Sequence, residues 1–248
     1  MFNDELHTMT LSEDGSYTAY SKEYEEHYHS TRDGALKESL VKHVEPTFKI
    51  KQNQDEINIL DICFGLGFNS LATLYYYKKE SLKTKINIYS PELDASLVKS
   101  LQNFTYPEEF EEFKHIVEAI CRDGFYKDEN FYIEVFLGDA REYVKKFENR
   151  FDIVYQDAFS PSSNPLLWTQ EYFSDIKCSM KSDGVLSTYS IALATRLALY
   201  ENGFSIYINS GEDFRDATIA STSKLTTFKE VDMAHKISCN PDAQPLRD

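Results

Sequence analysis

The sequence predicts an α/β fold: a mostly parallel seven-stranded sheet with helices on both faces. Three observations predict it. From residue 57 onward, short apolar runs alternate with longer helical stretches, the pattern of consecutive βαβ units. Glycines or carboxylates follow directly after several of those runs, where sheets of this kind bind ligands. The chain has 248 residues, is 42% hydrophobic and carries 17 Phe and 17 Tyr, enough to bury one sizeable core.

The elements follow in order. Residues 7–11 and 16–20 read as strands around the turn signal Glu13-Asp14-Gly15, a β-hairpin inside an N-terminal extension, 1–45. A polar, helix-prone stretch covers 21–44, and 46–56 reads as a connection. Residues 57–62 form the first buried strand and 70–79 a helix. Further strands are expected at 85–89, 132–137, 151–155, 184–189, 204–208 and 217–221, with helices at 140–147 and 192–202. The segment from Phe104 to Glu134 has nine acidic and three basic residues, a net charge of −6. Its 104–131 part is expected to be an acidic helical insertion on the surface. The whole chain, 1–248, is expected to be one domain.

Composition excludes several classes. Against 26 basic residues stand 41 acidic ones, a net charge of −15, which argues against broad electrostatic binding to membranes or nucleic acid but leaves room for a local basic patch. No apolar run approaches the roughly 18 residues of a membrane helix. The first ten residues lack the basic-then-apolar pattern of a signal peptide, so a cytoplasmic location is expected. Cys63, Cys121, Cys178 and Cys239 are widely spaced with no Cys-x-x-Cys pair, so reduced thiols are expected, and no metal.

Four motifs fall just after predicted strands. Leu60-Asp61-Ile62-Cys63-Phe64-Gly65-Leu66-Gly67-Phe68-Asn69 joins the first strand to its helix. Gly65 and Gly67 permit a tight turn and close approach of a ligand, and the helix behind them offers free N–H groups. Ser70 stands where a dinucleotide fingerprint needs its third glycine, so a ligand without a pyrophosphate fits better. Ser90-Pro91-Glu92-Leu93-Asp94 follows the second strand; Glu92 suits the hydroxyls of a ribose, and Asp94 suits a helix cap. Gly138-Asp139-Ala140-Arg141 ends the third strand, with Asp139 suited equally to an adenine amino group or to a helix cap. The fourth motif runs from Tyr155 to Trp168. Its Asp157 ends a buried strand and needs a partner, which a cationic ligand provides, whereas Trp168 reads more readily as an anchor than as a substrate contact.

A glycine turn after strand one, acids after strands two and three, and an acidic, aromatic loop after strand four resemble the site order of class I (Rossmann-like) S-adenosylmethionine-dependent methyltransferases. The resemblance narrows further through Tyr24-Glu25-Glu26-His27-Tyr28-His29-Ser30, Gly34-Ala35, Glu38-Ser39, Asp157-Ala158-Phe159-Ser160-Pro161 with Asn164-Pro165 and Trp168, and Thr188-Tyr189-Ser190. Over residues 20–222 the chain looks like the MnmC-type methyltransferase family. That resemblance implies S-adenosyl-L-methionine as cofactor and, as acceptor, the 5-aminomethyl amine of the wobble (thio)uridine at position 34 of tRNA, giving 5-methylaminomethyl-2-thiouridine. It implies cofactor contacts from Phe64, Gly65, Gly67, Asn69, Glu92, Asp139 and Asp157. Substrate contacts are implied from Tyr28, His29, Phe159, Asn164 and Trp168, and a catalytic role for Asp157. Some members carry a second, FAD-dependent domain; none is expected here, so an upstream tRNA-modifying enzyme is expected to supply the aminomethyl group. Two other readings stay open: a non-catalytic methyltransferase-like binding subunit, which the −15 charge favours through a basic partner, and a polyamine-synthase-like aminopropyl transferase.

Overall fold

Ahead of the main sheet lies a small antiparallel one, β1 (His7–Leu11), β2 (Tyr17–Ser21) and β3 (Glu26–His27), in the order β1-β2-β3. The computed structural model describes Phe2 and residues 6–248. A continuous helical stretch follows: α1 (Ala35–Ser39), a π-helical turn (Leu40–Val44) and α2 (Glu45–Ile50).

The remaining strands are β4 (Glu56–Ile62), β5 (Lys85–Glu92), β6 (Phe125–Lys127), β7 (Phe131–Leu137), β8 (Phe151–Gln156), β9 (Met180–Thr188), β10 (Ser205–Asn209), β11 (Ala217–Ser221) and β12 (Lys229–Glu230). They form one nine-stranded sheet, ordered β12-β10-β11-β9-β8-β4-β5-β7-β6. The central five strands, from β9 to β7, pair in parallel, and the flanking strands pair antiparallel. This is the predicted class I methyltransferase sheet, with the short edge strands β6 and β12 added. Around it pack α3 (Phe68–Lys79), α4 (Ala95–Ser100), α5 (Lys114–Asp123), α6 (Ala140–Val144), α7 (Gln170–Ser179), α8 (Leu193–Glu201) and α9 (Met233–Cys239).

Two apolar layers result from the two-residue period of the strands. On β4, Ile57 and Ile59 join a core with Leu71, Leu74 and Ile88 on one face, while Leu60 and Ile62 join Val154, Trp168 and Phe173 on the other. Both faces are therefore covered, as a parallel sheet requires. The chain passes from β4 to β5 on one side and to β8 on the other. This reversal opens a crevice beyond the carboxyl ends of the strands.

The helix expected over 21–44 begins only at Ala35, and it continues through the expected connection to Ile50. Pro46 sits in the first turn of α2, inside the continuous helical stretch, so its missing N–H removes one backbone hydrogen bond from that helix. The turn just before it is π-helical; a wider turn there accommodates a proline ring that crowds the carbonyl four residues back. In the same turn Thr47 Oγ1 donates to the His43 carbonyl at 2.6 Å.

The acidic stretch 104–131 is helical only over 108–123, adds the edge strand β6 and forms one wall of the core. Phe104, Phe110, Phe113, Ile116, Val117 and Ile120 are buried, while Glu108, Glu109, Glu111, Glu112 and Glu118 are exposed. Helix α7 was not anticipated; it starts at a Thr169 cap, whose Oγ1 accepts from the Tyr172 N–H at 3.2 Å. Among the described residues, no helix is long and apolar enough to cross a membrane.

Phe110→Ala is expected to cost about 3–5 kcal/mol in urea unfolding, because it empties a core site. Glu109→Ala is expected to stay within about 0.5 kcal/mol, as an exposed charge does.

Candidate active site

At the carboxyl ends of β4, β5, β7 and β8 lies a cleft of about 1300 Å³. Its floor is the turn after β4. Cys63, Gly65 and Gly67 take φ of 66°, 54° and 77°, the left-handed region that favours glycine. A β-carbon on Gly65 would lie 3.1 Å from the Tyr28 ring. Cys63 adopts the same region with a side chain, a local strain that the surrounding bonds hold in place. The Phe64 N–H donates to the Pro91 carbonyl at 3.1 Å, and the Gly65 N–H donates to Glu92 Oε2 at 2.8 Å.

Glu92 thus stands at the end of β5 with its carboxylate clamped, since Oε1 also accepts from the Asp94 N–H at 2.9 Å. Burial raises its affinity for a proton, and these backbone bonds oppose the rise. Asp94 caps α4, accepting from the N–H groups of Ser96 and Leu97 at 2.8 and 2.9 Å. Asp139 caps α6 through Oδ1, which accepts from the Arg141 N–H at 2.7 Å, and the residue also lines the cleft.

Asp157, just past β8, is the centre of a polar network. Asn69 Nδ2, from the first turn of α3, donates to Asp157 Oδ2 at 2.8 Å and lies 3.4 Å from Asp61 Oδ1. Asp61, fully enclosed on β4, also accepts from Ser70 Oγ at 2.8 Å. On the other side, His43 Nε2 lies 3.4 Å from Asp157 Oδ1. The two carboxyls are driven apart. Burial pushes Asp61 up to about 7. Burial also opposes ionisation of Asp157, but the His43 and His29 rings and the Asn69 amide outweigh it, holding this carboxyl below its ordinary value. Adjacent carboxyls pushed in opposite directions leave one poised near neutrality and one reliably anionic.

The roof comes from the N-terminal sheet. Phe159 stacks on Tyr24 with ring centroids 4.5 Å apart and lies 4.9 Å from Tyr28. The Ser160 N–H donates to Glu26 Oε2 at 3.1 Å. The Tyr28 hydroxyl meets His7 Nε2 at 2.9 Å. His29 is buried, with Nδ1 3.8 Å from Glu38 Oε2, and burial holds its pKa below the ordinary imidazole value despite the nearby acids. Lys42 Nζ donates to Glu38 Oε1 at 2.6 Å.

Ten of the twelve anticipated site residues line the cleft: Tyr28, His29, Phe64, Gly65, Asn69, Glu92, Asp139, Asp157, Phe159 and Asn164. Two do not. Trp168 is fully buried against Phe173 and Tyr189, and its Nε1–H donates to the Phe159 carbonyl at 2.8 Å, so it anchors the loop instead of touching a substrate. Gly67 lies behind the Phe64 ring, which a β-carbon would meet at 2.9 Å; it shapes the turn without reaching the cleft. Asp61 and His43 were missed as site residues. A carboxylate inside an otherwise apolar strand was a readable signal for Asp61. His43 gave none, because its stretch read as a polar helix.

Residues 107–223 match the family described as S-adenosyl-L-methionine-dependent methyltransferase. The solved structure of MnmC2 from Aquifex aeolicus superposes with a TM-score of 0.85 at 33% identity, covering 98% of this chain and 78% of that one. An uncharacterized protein of Methanocaldococcus jannaschii is 33% identical over 209 residues, 82% of this chain and 55% of the relative. The tRNA 5-methylaminomethyl-2-thiouridine biosynthesis bifunctional protein MnmC of Azoarcus sp. is 27% identical over 213 residues, 80% of this chain and 33% of the relative. The chain therefore spans between a third and about half of the length of these two curated relatives.

The Asp61 carboxyl gives a pH-linked prediction. With a raised pKa, its contribution to stability is fully present below the unfolded value and is lost as pH rises through about 7. Asp61→Asn cannot ionise, so its Tm is expected to fall less than the wild type's between roughly pH 5 and 8, by about 2 °C or more in thermal scans. His29 acts in the opposite sense at low pH but is common to both proteins.

Proposed function

The chain belongs to the MnmC-type S-adenosyl-L-methionine-dependent methyltransferase family, and from that premise we propose that it methylates the 5-aminomethyl amine of the wobble (thio)uridine at position 34 of tRNA. The product is 5-methylaminomethyl-2-thiouridine. The observation that carries this reading is Asp157, an anionic carboxylate bordering the cleft beneath an aromatic roof. The curated relatives named for biosynthesis of the same nucleoside support it.

The lining fits the cofactor. Asn69 Oδ1 is a buried acceptor without a partner beside Asp157, and Glu92, Asp139 and Asp157 set three carboxylates along one cleft, as a cationic adenosyl ligand calls for. In this reading Glu92 holds the ribose, Asp139 the adenine, and Phe64, Gly65 and Asn69 flank the methionine portion. When bound, the cofactor supplies an electrophilic methyl carbon on its sulfonium.

Asp157 binds the acceptor as an ammonium; the proton is lost to solvent, and the carboxylate keeps the freed amine oriented by hydrogen bonding. Holding that amine in line is the larger part of the rate gain. Tyr28 and Phe159 offer stacking surface for an extruded base, whose removal from the anticodon stack costs a few kcal/mol. Arg32 and Arg215, exposed at the cleft rim, place positive charge on an otherwise acidic chain and suit tRNA phosphates. A separate enzyme supplies the aminomethyl group in this scheme, and the site of action is the cytoplasm.

Asp157→Ala is expected to abolish methyl transfer while leaving the fold intact; near-normal turnover on aminomethylated tRNA would refute the role. Glu92→Ala is expected to weaken S-adenosylmethionine binding by about 1–3 kcal/mol in calorimetry, the loss of a charge-assisted hydrogen bond. Nucleosides from tRNA of a strain lacking this gene are expected to accumulate the unmethylated aminomethyl form by mass spectrometry.

A further inference from the structure

We propose that His43 is a positioning residue for methyl transfer: from a π-helical turn behind the cleft, it holds the Asp157 carboxylate in one orientation and in its ionised form. The inference rests on the reading of Asp157 as the anion that holds and orients the acceptor amine.

The geometry is specific. His43 is completely buried, and its ring is fixed on two sides: Nδ1 lies 3.0 Å from Ser187 Oγ, and the ring meets the Tyr155 ring edge-on at 5.6 Å. Nε2 is buried with no close hydrogen-bond partner and lies 3.4 Å from Asp157 Oδ1. A tautomer with its proton on Nε2 suits both neighbours. The Ser187 hydroxyl then donates to Nδ1, and the Nε2–H is offered to the carboxylate. Asn69 already occupies the other oxygen, so the plane of the carboxylate is set from two directions. Its remaining lone pairs are left for a ligand in the cleft.

On the backbone, His43 sits in the π-helical stretch Leu40–Val44, which ends two residues before Pro46. Such turns rotate side chains out of α-helical register and are frequent at functional sites. Other titratable groups around this pair are His29 from the loop after β3, Asp61 on β4, Cys63 in the turn, Tyr155 on β8 and Tyr189 after β9. His43 also acts through space on His29 and Asp61 and packs on Tyr155, so the titrations of His29 and Asp61 are followed beside that of Asp157.

Two polar substitutions divide the ring's contacts. His43→Asn keeps an amide near the Nδ1 position but is too short to reach Asp157. His43→Gln places an amide N–H near the Nε2 position. The titration of Asp157 is followed by carbon NMR of labelled aspartates, assigned with Asp157→Asn. His43→Asn is expected to raise the Asp157 midpoint by about one pH unit, and His43→Gln by less than half as much. In turnover, His43→Asn is expected to lower kcat about tenfold or more and to move the acid limb of the pH profile upward. The KM for S-adenosylmethionine is expected to stay unchanged, with His43→Gln recovering most of the rate.

Folded variants that titrate with the wild type, or that both shift equally, overturn the proposal. If only the Gln variant folds, a full-unit shift in it also overturns the proposal, and a midpoint near the wild type's supports it. A wild-type enzyme inactive on aminomethylated tRNA would instead count against the acceptor assignment, while the titration still decides the role of His43.

Discussion

Holding a carboxylate ionised in a half-enclosed cleft is costly, and the architecture around Asp157 offsets that cost. Three elements distant in sequence converge on it: the helical stretch before β4 brings His43, the first turn of α3 brings Asn69, and β4 brings Asp61 one amide away. Asp61 takes the unfavourable share of the electrostatics, because a fully buried carboxyl with a charged neighbour retains its proton to higher pH. The result is a single reliable anion at the cleft, where a cationic acceptor needs one. Removal of His43 or Asn69 takes away a group that stabilises the charge.

The turn after β4 couples this anion to the adenosyl end of the cleft. Three left-handed residues in five let the chain fold back so that its N–H groups reach Pro91 and Glu92 on the neighbouring strand. Glu92 therefore serves both as a tie between β4 and β5 and as a ligand candidate. Its lone pairs are only partly used by the backbone, so the same carboxylate can hold the turn and accept hydroxyls. The N-terminal sheet completes the enclosure through Tyr24, Tyr28 and Glu26, packed against the loop that follows β8. Trp168 fixes that loop from beneath, holding the Phe159 carbonyl so that the Phe159 ring stays against the roof.

Much of this was legible in the linear chain because it depends on local rules. Apolar runs of strand length between helical stretches specify a parallel sheet, and a parallel sheet specifies which end of each strand bears the site. Glu92, Asp139 and Asp157 could thus be placed at one mouth from position alone, and Asp94 at a helix start. Local rules failed where a residue's partner lies far along the chain. The acidic 104–131 stretch carries a strong surface signature in its charges, yet its Phe and Ile residues face the sheet, and only packing distinguishes the two faces. Pro46 reads as a helix stop, whereas the wide turn before it lets the helix continue.

What the sequence by itself determined is the fold and the order of the site motifs along it, since both follow from periodicity and from turn residues at fixed spacing; the family came from the resemblance of those motifs to known ones. What only the tertiary structure decided is which polar groups face one another. Whether Asp157 is charged, whether Asp61 is protonated and whether Trp168 reaches the cleft all depend on burial and on distances of a few ångströms between segments tens of residues apart. Those quantities exist only once the chain has folded, because desolvation and Coulomb interaction act through space and not along the backbone.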